Sequence, residues 1–487
     1  MDTTLRQENT SKESKLSMTA NLPNLQAQEE VADTSKHSVH SVRSQTSTLE
    51  FHHEPFEEFK PLVEQLCLNI WPNSMRVPTL EHLLGNVFTG FLPRKTSSRT
   101  ASLFSSNTFH VERLSGGSFN RIIGITVTKA KSQDAIRYIL RVPRFESARP
   151  NQEVAIVEYV HQYSTIPVAR VVAMDFTANN PLKRPYVVQN RIPGFDLQSK
   201  KQNFTQLTHE QQCTFSTEFG RILRKLQEMG HSTPGQVDIA ANQDGSQNYN
   251  VRAFDVDADP FGDNPELDDI SLAAQAPNHC STLEFFLSQF GRWKAAASKH
   301  DDSIKADYMK CLAAVATQMN EVGFLGDNEN CLCHLDLNHA PQNIMVNIQD
   351  SSLSVSGILD WDSAVFAPRF VGCVPPMWIW AWDFEEDEDE AHANDTPNSL
   401  KQQELKQLFE DAVGERFLGF AYLPQYRIAR RLFKFAQQGM NASWHIEDAD
   451  RLISEWAKIR PSHLPEIRNP FDESDSSSDS GDDSTES

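Results

Sequence analysis

Apolar residues recur at helical spacing from Phe56 to Trp71 and predict a helix ahead of the first strands. The pattern then changes to short runs rich in Val and Ile. Phe109 to Leu114, Ile122 to Thr128, Ile136 to Val142, Val168 to Met174 and Tyr186 to Ile192 read as five strands. One helix, Glu153 to Tyr163, is expected among them. Strands of this length in hairpin order, with a single helix interposed, predict a small α+β lobe built on an antiparallel sheet. Past Pro193-Gly194 the period returns to that of a helix. Phe215, Phe219, Ile222, Leu223, Leu226 and Met229 share one face. Further helices are expected at Thr282 to Trp293, Ala306 to Met319, Leu400 to Phe420, Gln425 to Gln438 and Ala449 to Ile459. Between the second and third of these, Ile344 to Ile348 and Val355 to Leu359 are two short apolar runs.

The segments between these elements differ in character. Residues 1–50 hold no Phe, Tyr or Trp and are rich in Ser, Thr and Gln, so they cannot bury enough apolar surface to offset the entropy of ordering. Residues 466–487 end in DESDSSSDSGDDSTES, with seven acids and no base, and are likewise expected to be disordered. What remains divides into a small lobe over 51–193, with its leading helix and a Ser-rich loop near Lys95 to Asn107, and a mainly helical lobe over 194–465. The 487-residue chain is long enough for two such lobes with separate cores.

The net charge of −21 disfavours nucleic acid as a partner, because phosphate binding draws on Lys and Arg. Seven scattered cysteines without paired CxxC spacing point to a reducing compartment rather than a zinc site. Phe370 to Trp382 is the most apolar stretch, but it is too short to span a bilayer and holds two prolines. A cytoplasmic protein with no membrane partner is expected; the oligomeric state is not legible.

The chemistry gathers in His334 to Val346 (HLDLNHAPQNIMV) and in Asp360 of ILDWD. Phosphoryl transfer from ATP needs a carboxylate beside the attacking hydroxyl, and an Asn and an Asp on Mg²⁺. Asp336, Asn343 and Asp360 are those types in that order. Upstream, Ser115, Gly116, Gly117, Ser118, Phe119 and Asn120 form a glycine turn between two strands, whose backbone amides would face phosphate oxygens.

The words FHVERLSGGSFNRI, YILRVPR, NQEVAIVEYV, HLDL, NIMV and ILDWD, in this order, resemble the aminoglycoside phosphotransferase family, and more narrowly its fungal members. The resemblance covers roughly Phe56 to Pro461. It implies a two-lobed protein-kinase-like fold of class α+β, with a five-stranded antiparallel small lobe. It also implies ATP-dependent transfer of the γ-phosphate to a hydroxyl of a small molecule. By the same resemblance Asp336 is the catalytic base and His334 braces its loop, while Asn343 and Asp360 hold Mg²⁺. Arg141 stands where the family commonly has a phosphate-contacting Lys, with Glu153 as its orienting partner and Glu158 as the fallback. Gln189, Asn190 and Arg191 would be the linker meeting adenine. A protein kinase fits less well, since ILDWD stands where DFG would and no APE-like element follows.

One departure matters. The family places Asn five residues after the catalytic Asp, whereas Asn343 follows Asp336 by seven, as though Asn338-His339 were inserted. Either the loop bulges outward and both ends keep their sites, or the register shifts and metal binding is impaired. With Arg141 in place of Lys, the second case leaves a catalytically weak or inactive nucleotide-binding pseudoenzyme acting through partners. Asp255 to Asp269 and Glu385 to Glu390 are acidic runs that would attract a cationic substrate, although such runs are more often solvated faces.

Overall fold

The computed structural model describes residues 54–72, 74–76, 107–114, 119–129, 134–145, 149–199, 202–241, 247–256, 280–381, 390–442 and 444–470. The expected N-terminal arm, the Ser-rich loop up to residue 106, the glycine-turn residues Ser115 to Ser118, most of the acidic insertion, the acidic run up to residue 389 and the acidic tail lie outside these.

The small lobe is a sheet of β1 (Ser74–Arg76), β2 (Asn107–Arg113), β3 (Asn120–Thr128), β4 (Ala135–Pro143), β5 (Val171–Asp175) and β6 (Tyr186–Asn190), in the order β1-β2-β3-β4-β6-β5. The five expected strands are antiparallel, and β1 adds a short parallel edge. Helix α1 (Phe56–Ile70) is no appendage. Its Phe59, Val63, Leu66 and Cys67 are buried in one cluster with Val111, Ile123, Ile125, Leu140 and Val142, so it closes one face of the sheet. The guanidinium of Arg121 sits 4.2 Å over the ring of Phe59 and ties that face further. Helix α2 (Pro150–Tyr163), expected to serve the small lobe, buries Ala155, Ile156, Val157 and Val160 in the core of the large one. The lobes therefore share a helix.

After the linker, Gly194 adopts φ +101°, and a Cβ there would lie 1.9 Å from the carbonyl oxygen of Val346. Only glycine permits this approach. It lets β7 (Phe195–Asp196) pair with Val346 and Met345, so the linker runs straight onto the hairpin of β12 (Ile344–Gln349) and β13 (Ser352–Ile358). That hairpin turns on Asp350 and Ser351, both at positive φ, as a two-residue turn of matching twist requires.

The large lobe holds α3 (His209–Glu228), α4 (Thr282–Lys299), α5 (Ser303–Glu321), α6 (Leu400–Val413), α7 (Glu415–Ala421), α8 (Pro424–Gln438) and α9 (Trp444–Ile459). Thr208, Ser281 and Ser399 open α3, α4 and α6 with reciprocal capping boxes. The expected helix Leu400 to Phe420 is two helices, because Gly414 at φ +87° ends the first. A hairpin of β9 (Gln236–Ala241) and β10 (Gln247–Arg252) and a sheet of β8 (Gly230–His231), β11 (Asn330–His334) and β14 (Ala364–Pro368) were not anticipated. Phe370, Val371, Cys373, Ile379 and Trp380 are buried, in accord with an interior rather than a membrane role for that stretch. No helix among the described residues is long and apolar enough to cross a membrane.

Helices α3 and α6 run parallel and meet at Gly220, where an added Cβ would stand 2.8 Å from both Ala412 Cβ and the Phe409 carbonyl oxygen. Gly220→Val is expected to lower stability by about 1–3 kcal/mol through overpacking, measured as a reduced urea midpoint with an unchanged m-value.

Candidate functional site

The site is assembled by strand ends. β11 pairs with β14 through His334 and Ala364, which fixes the start of the loop holding Asp336. At the other side, the β12–β13 hairpin places Ile344 opposite Ile358, and the N–H of Leu359 donates to the carbonyl of Asn343 at 2.8 Å. Asn343 and Asp360 are thereby neighbours although far apart in sequence. The amide Nδ2 of Asn343 donates to Asp336 Oδ2 at 2.8 Å. Asn343 is buried and Asp336 is exposed.

The seven-residue separation therefore brings both ends of the loop together, but not by the outward bulge expected. Asn338 is only 5 % exposed, and its carbonyl accepts from Trp378 Nε1 at 2.9 Å. Trp378 itself packs on Phe204, Phe215 and Phe219, with ring centroids 5.4, 5.6 and 6.1 Å away. Asn338 is turned inward while His339 stays half-buried, and the half-buried indole N–H of Trp378 finds its acceptor there.

His334 donates from Nε2 to the Leu359 carbonyl at 2.9 Å, and its ring meets Trp361 edge-on at 4.9 Å. Burial holds its pKa below the ordinary value, which fits a neutral ring that braces the loop. Trp361 Nε1 donates to the Ile358 carbonyl at 3.0 Å. Asp360 between them takes the left-handed conformation, φ 62° and ψ 55°.

Arg141, on β4, is buried at 8 % exposure and lies 3.0 Å from Glu153 of α2 and 3.1 Å from Asp360 Oδ1. Glu153, not Glu158, is thus its partner. Burial pushes the Glu153 carboxyl up to about 7, against the pull of Arg141. Asp362 reaches about 6, first through the protein packed around it and then through the charge of Asp360. Its side chain stays at the surface.

Gln189 and Asn190 end β6 beside Ile139 and Tyr138 of β4. The N–H of Asn190 donates to the Arg170 carbonyl and that of Arg191 to the Arg137 carbonyl, both at 2.9 Å. Arg191 also pairs with Glu112 at 3.0 Å. The linker is held as strand edge, and its backbone donors at these two positions are already used. Phe119 and Asn120 are the described members of the glycine turn. Asn120 opens β3, and Phe119 is exposed with its ring 6.2 Å from Phe145.

Three facts bear on whether Mg²⁺ and a nucleotide fit. Asn343 and Asp360 carry hard oxygen donors, the kind Mg²⁺ takes, on segments joined by the Leu359 N–H to Asn343 carbonyl bond, and one Asn with one Asp suffices for an ion that keeps most of its water. Arg141 Nε is buried with no hydrogen-bond partner, a donor left open in the cluster with Glu153 and Asp360. The acidic stretches supply no free charge where they are described. Glu390 pairs with buried Arg430, and Asp255 pairs with Arg149 and Arg252.

Composition gave no sign of Trp378 or Asn338. The sequence shows the two-residue insertion and, separately, a Trp-rich stretch that ends at Trp382, with nothing to link Asn338 to Trp378 forty residues on. A pH effect follows from Glu153. Its carboxyl titrates higher in the folded chain than the unfolded value of 4.5, so the folded state binds the extra proton between about pH 4.5 and 7, and stability falls as pH rises through that window. Glu153→Gln is expected to remove this contribution, and melting temperatures of the two proteins across the window should show a shallower fall in the variant.

The model of the phosphotransferase enzyme family matches residues 110–396. No curated protein sequence matches the chain. Among solved structures it is similar to a thermostable mutant of aminoglycoside phosphotransferase APH(4)-Ia, bound to AMP-PNP and hygromycin B, at 14 % identity over 72 % of this chain and 92 % of that one, with a TM-score of 0.37. It is also similar to spectinomycin phosphotransferase APH(9)-Ia with ADP and spectinomycin, at 13 % identity over 73 % and 91 % of the two chains and a TM-score of 0.30. Choline kinase from Cryptosporidium parvum shares 10 % identity over 72 % and 90 %, with a TM-score of 0.33. With the family model spanning more than half of its length, the chain belongs to the phosphotransferase enzyme family.

Proposed function

We propose that this protein is a small-molecule kinase that uses ATP and Mg²⁺ to phosphorylate a hydroxyl group. The observation that carries the reading is the 2.8 Å contact between Asn343 and Asp336, which persists across a loop two residues longer than the family pattern. Asp336 engages Asn343 through Oδ2 and is exposed, so its other oxygen is available to orient a substrate hydroxyl and accept its proton late in the reaction. His334 keeps that loop in place through Leu359. Asn343 and Asp360 would hold Mg²⁺, which when bound offsets the charge on the phosphate oxygens.

Arg141 orients Asp360 and brings a positive charge to the phosphate side, with Glu153 holding its fork. The turn from Ser115 to Asn120 would cover the phosphates, and the Gln189 to Arg191 linker would line the adenine side. With Asn190 and Arg191 N–H groups already bonded within the sheet, adenine would be read there through carbonyls and shape. The same reading keeps the protein in a reducing, cytoplasmic setting, in line with seven free cysteines. A second reading, a nucleotide binder of little activity, draws on the same Arg141, whose guanidinium is already shared by two carboxylates.

Thermal melting with ATP, with and without Mg²⁺, together with turnover against a panel of hydroxylated metabolites, separates the two. Wild type should be stabilised by ATP only when Mg²⁺ is present, because a ligand of the native state raises its stability by mass action. Asp360→Ala should lose that shift. Asp336→Asn should keep it while turnover falls by about 10²–10⁴-fold. No Mg²⁺-dependent shift in wild type would sink the kinase reading, and a shift without turnover on any acceptor would favour the binder.

A further inference from the structure

Away from the catalytic loop, the first turns of α3 and α6 bring three chemically different metal donors together. His209 and Cys213 are four residues apart on α3 and so share one face. Glu404 reaches them from α6. His209 Nε2 lies 2.8 Å from Glu404 Oε2 and 3.6 Å from Cys213 Sγ, and the three donor atoms all fall within 4.8 Å of one another. We propose that His209, Cys213 and Glu404 form a Zn²⁺ site that staples the start of α3 to the start of α6.

The geometry suits that ion. Bonds of about 2.0–2.3 Å at tetrahedral angles set neighbouring nitrogen, sulfur and oxygen ligands about 3.3–3.8 Å apart. The Cys213 to His209 separation already lies in that range, and the His209 to Glu404 contact needs to open by only about half an ångström. Imidazole, thiolate and carboxylate are the donors zinc accepts, whereas Mg²⁺ takes oxygen alone. A thiolate and a carboxylate together cancel the two positive charges of the ion. Burial and then the charge of Glu404 hold the Cys213 thiol above its ordinary pKa, so Zn²⁺ must displace that proton when it binds. Glu404 is exposed, so water can complete the fourth position.

His209 Nδ1 is buried without a hydrogen-bond partner. Ligating imidazoles usually donate that second N–H, and lacking the partner typically costs about 10–100-fold in affinity. The site is therefore expected to exchange its ion rather than lock it. Its position gives the ion a structural effect. Gln211 of the same turn donates to the Ser351 carbonyl at 3.3 Å, and Glu218 accepts from the Val355 N–H at 2.7 Å, so α3 carries the hairpin that presents Asn343 and Asp360. Fixing α3 on α6 braces that hairpin from behind.

The test uses the full-length chain, purified with chelator and titrated with Zn²⁺ or Co²⁺ alone. Wild type should take up one Zn²⁺ at this site and gain melting temperature. With Co²⁺ it should show a thiolate-to-metal charge-transfer band in the near ultraviolet. Cys213→Ser should lose the band, His209→Gln and Glu404→Gln should weaken binding at least tenfold, and Cys280→Ser should leave it intact. Circular dichroism checks that each variant is folded, with His209→Gln deciding the matter should Cys213→Ser misfold. Absence of the band in wild type, or its persistence in Cys213→Ser, would overturn the proposal. An ion on Asp360 and Asn343 gives no sulfur band, so this outcome is independent of whether the protein is a kinase.

Discussion

Arg141 is a buried cation, and a guanidinium taken out of water costs several kcal/mol unless carboxylates meet it in good geometry. Here two do, from different directions. Glu153 comes from a helix whose other residues are packed into the large-lobe core, and Asp360 from the loop that leaves the β12–β13 hairpin. One positive charge on a small-lobe strand is thus held by two elements anchored below it. The pairing also explains why Glu153 tolerates burial at 8 % exposure, since its only strong compensation is that guanidinium. Relative placement of sheet, helix and the loop at Asp360 follows from a demand that the buried charges of Arg141 and Glu153 not be left alone.

The same demand accounts for what could be read from the sequence. Alternation and β-branched runs located the strands from Phe109 to Ile192 because each has one face in a core, and the 3.6-residue period located α3 for the same reason. The Asp336, Asn343, Asp360 triad and the Arg141–Glu153 pair were legible as residue types in a fixed order. Less legible were the elements whose reason for existing is a partner remote in sequence. The β9–β10 strands, QVDIAA and QNYNVR, carry too few apolar residues for a period to stand out. α1 read as an appendage because its apolar face is matched only by strands that begin about forty residues later. The break at Gly414 was hidden inside an otherwise continuous helical pattern, where a lone glycine costs only about 1 kcal/mol and does not by itself announce a stop.

Asp360 shows how the site is held. A left-handed backbone costs an ordinary residue about 1–2 kcal/mol, somewhat less for Asp, and persists only where its surroundings over-determine it. Leu359 before it is fixed from both sides, by its N–H on Asn343 and its carbonyl under His334. Trp361 after it is buried and bonded to Ile358. With both neighbours committed, the chain at Asp360 has little choice but to turn there, and the turn sets its carboxylate on Arg141.

That arrangement also explains why two additional residues between Asp336 and Asn343 leave the ends in contact. Neither end takes its position from the loop. His334 is set by its pairing with Ala364, and Asn343 by the hairpin that places it against Leu359. A segment joining two pinned points needs only to close, and lengthening it by two residues costs roughly a few tenths of a kcal/mol in closure entropy. The backbone carbonyl of Asn338 accepts from the Trp378 indole, a bond worth about 1 kcal/mol net, although the buried side-chain oxygen of Asn338 has no partner and offsets that gain. The spacing of a motif is therefore a weaker constraint than the strands on either side of it, and it is those strands, not the count of residues between them, that decide whether Asp336 and Asn343 meet.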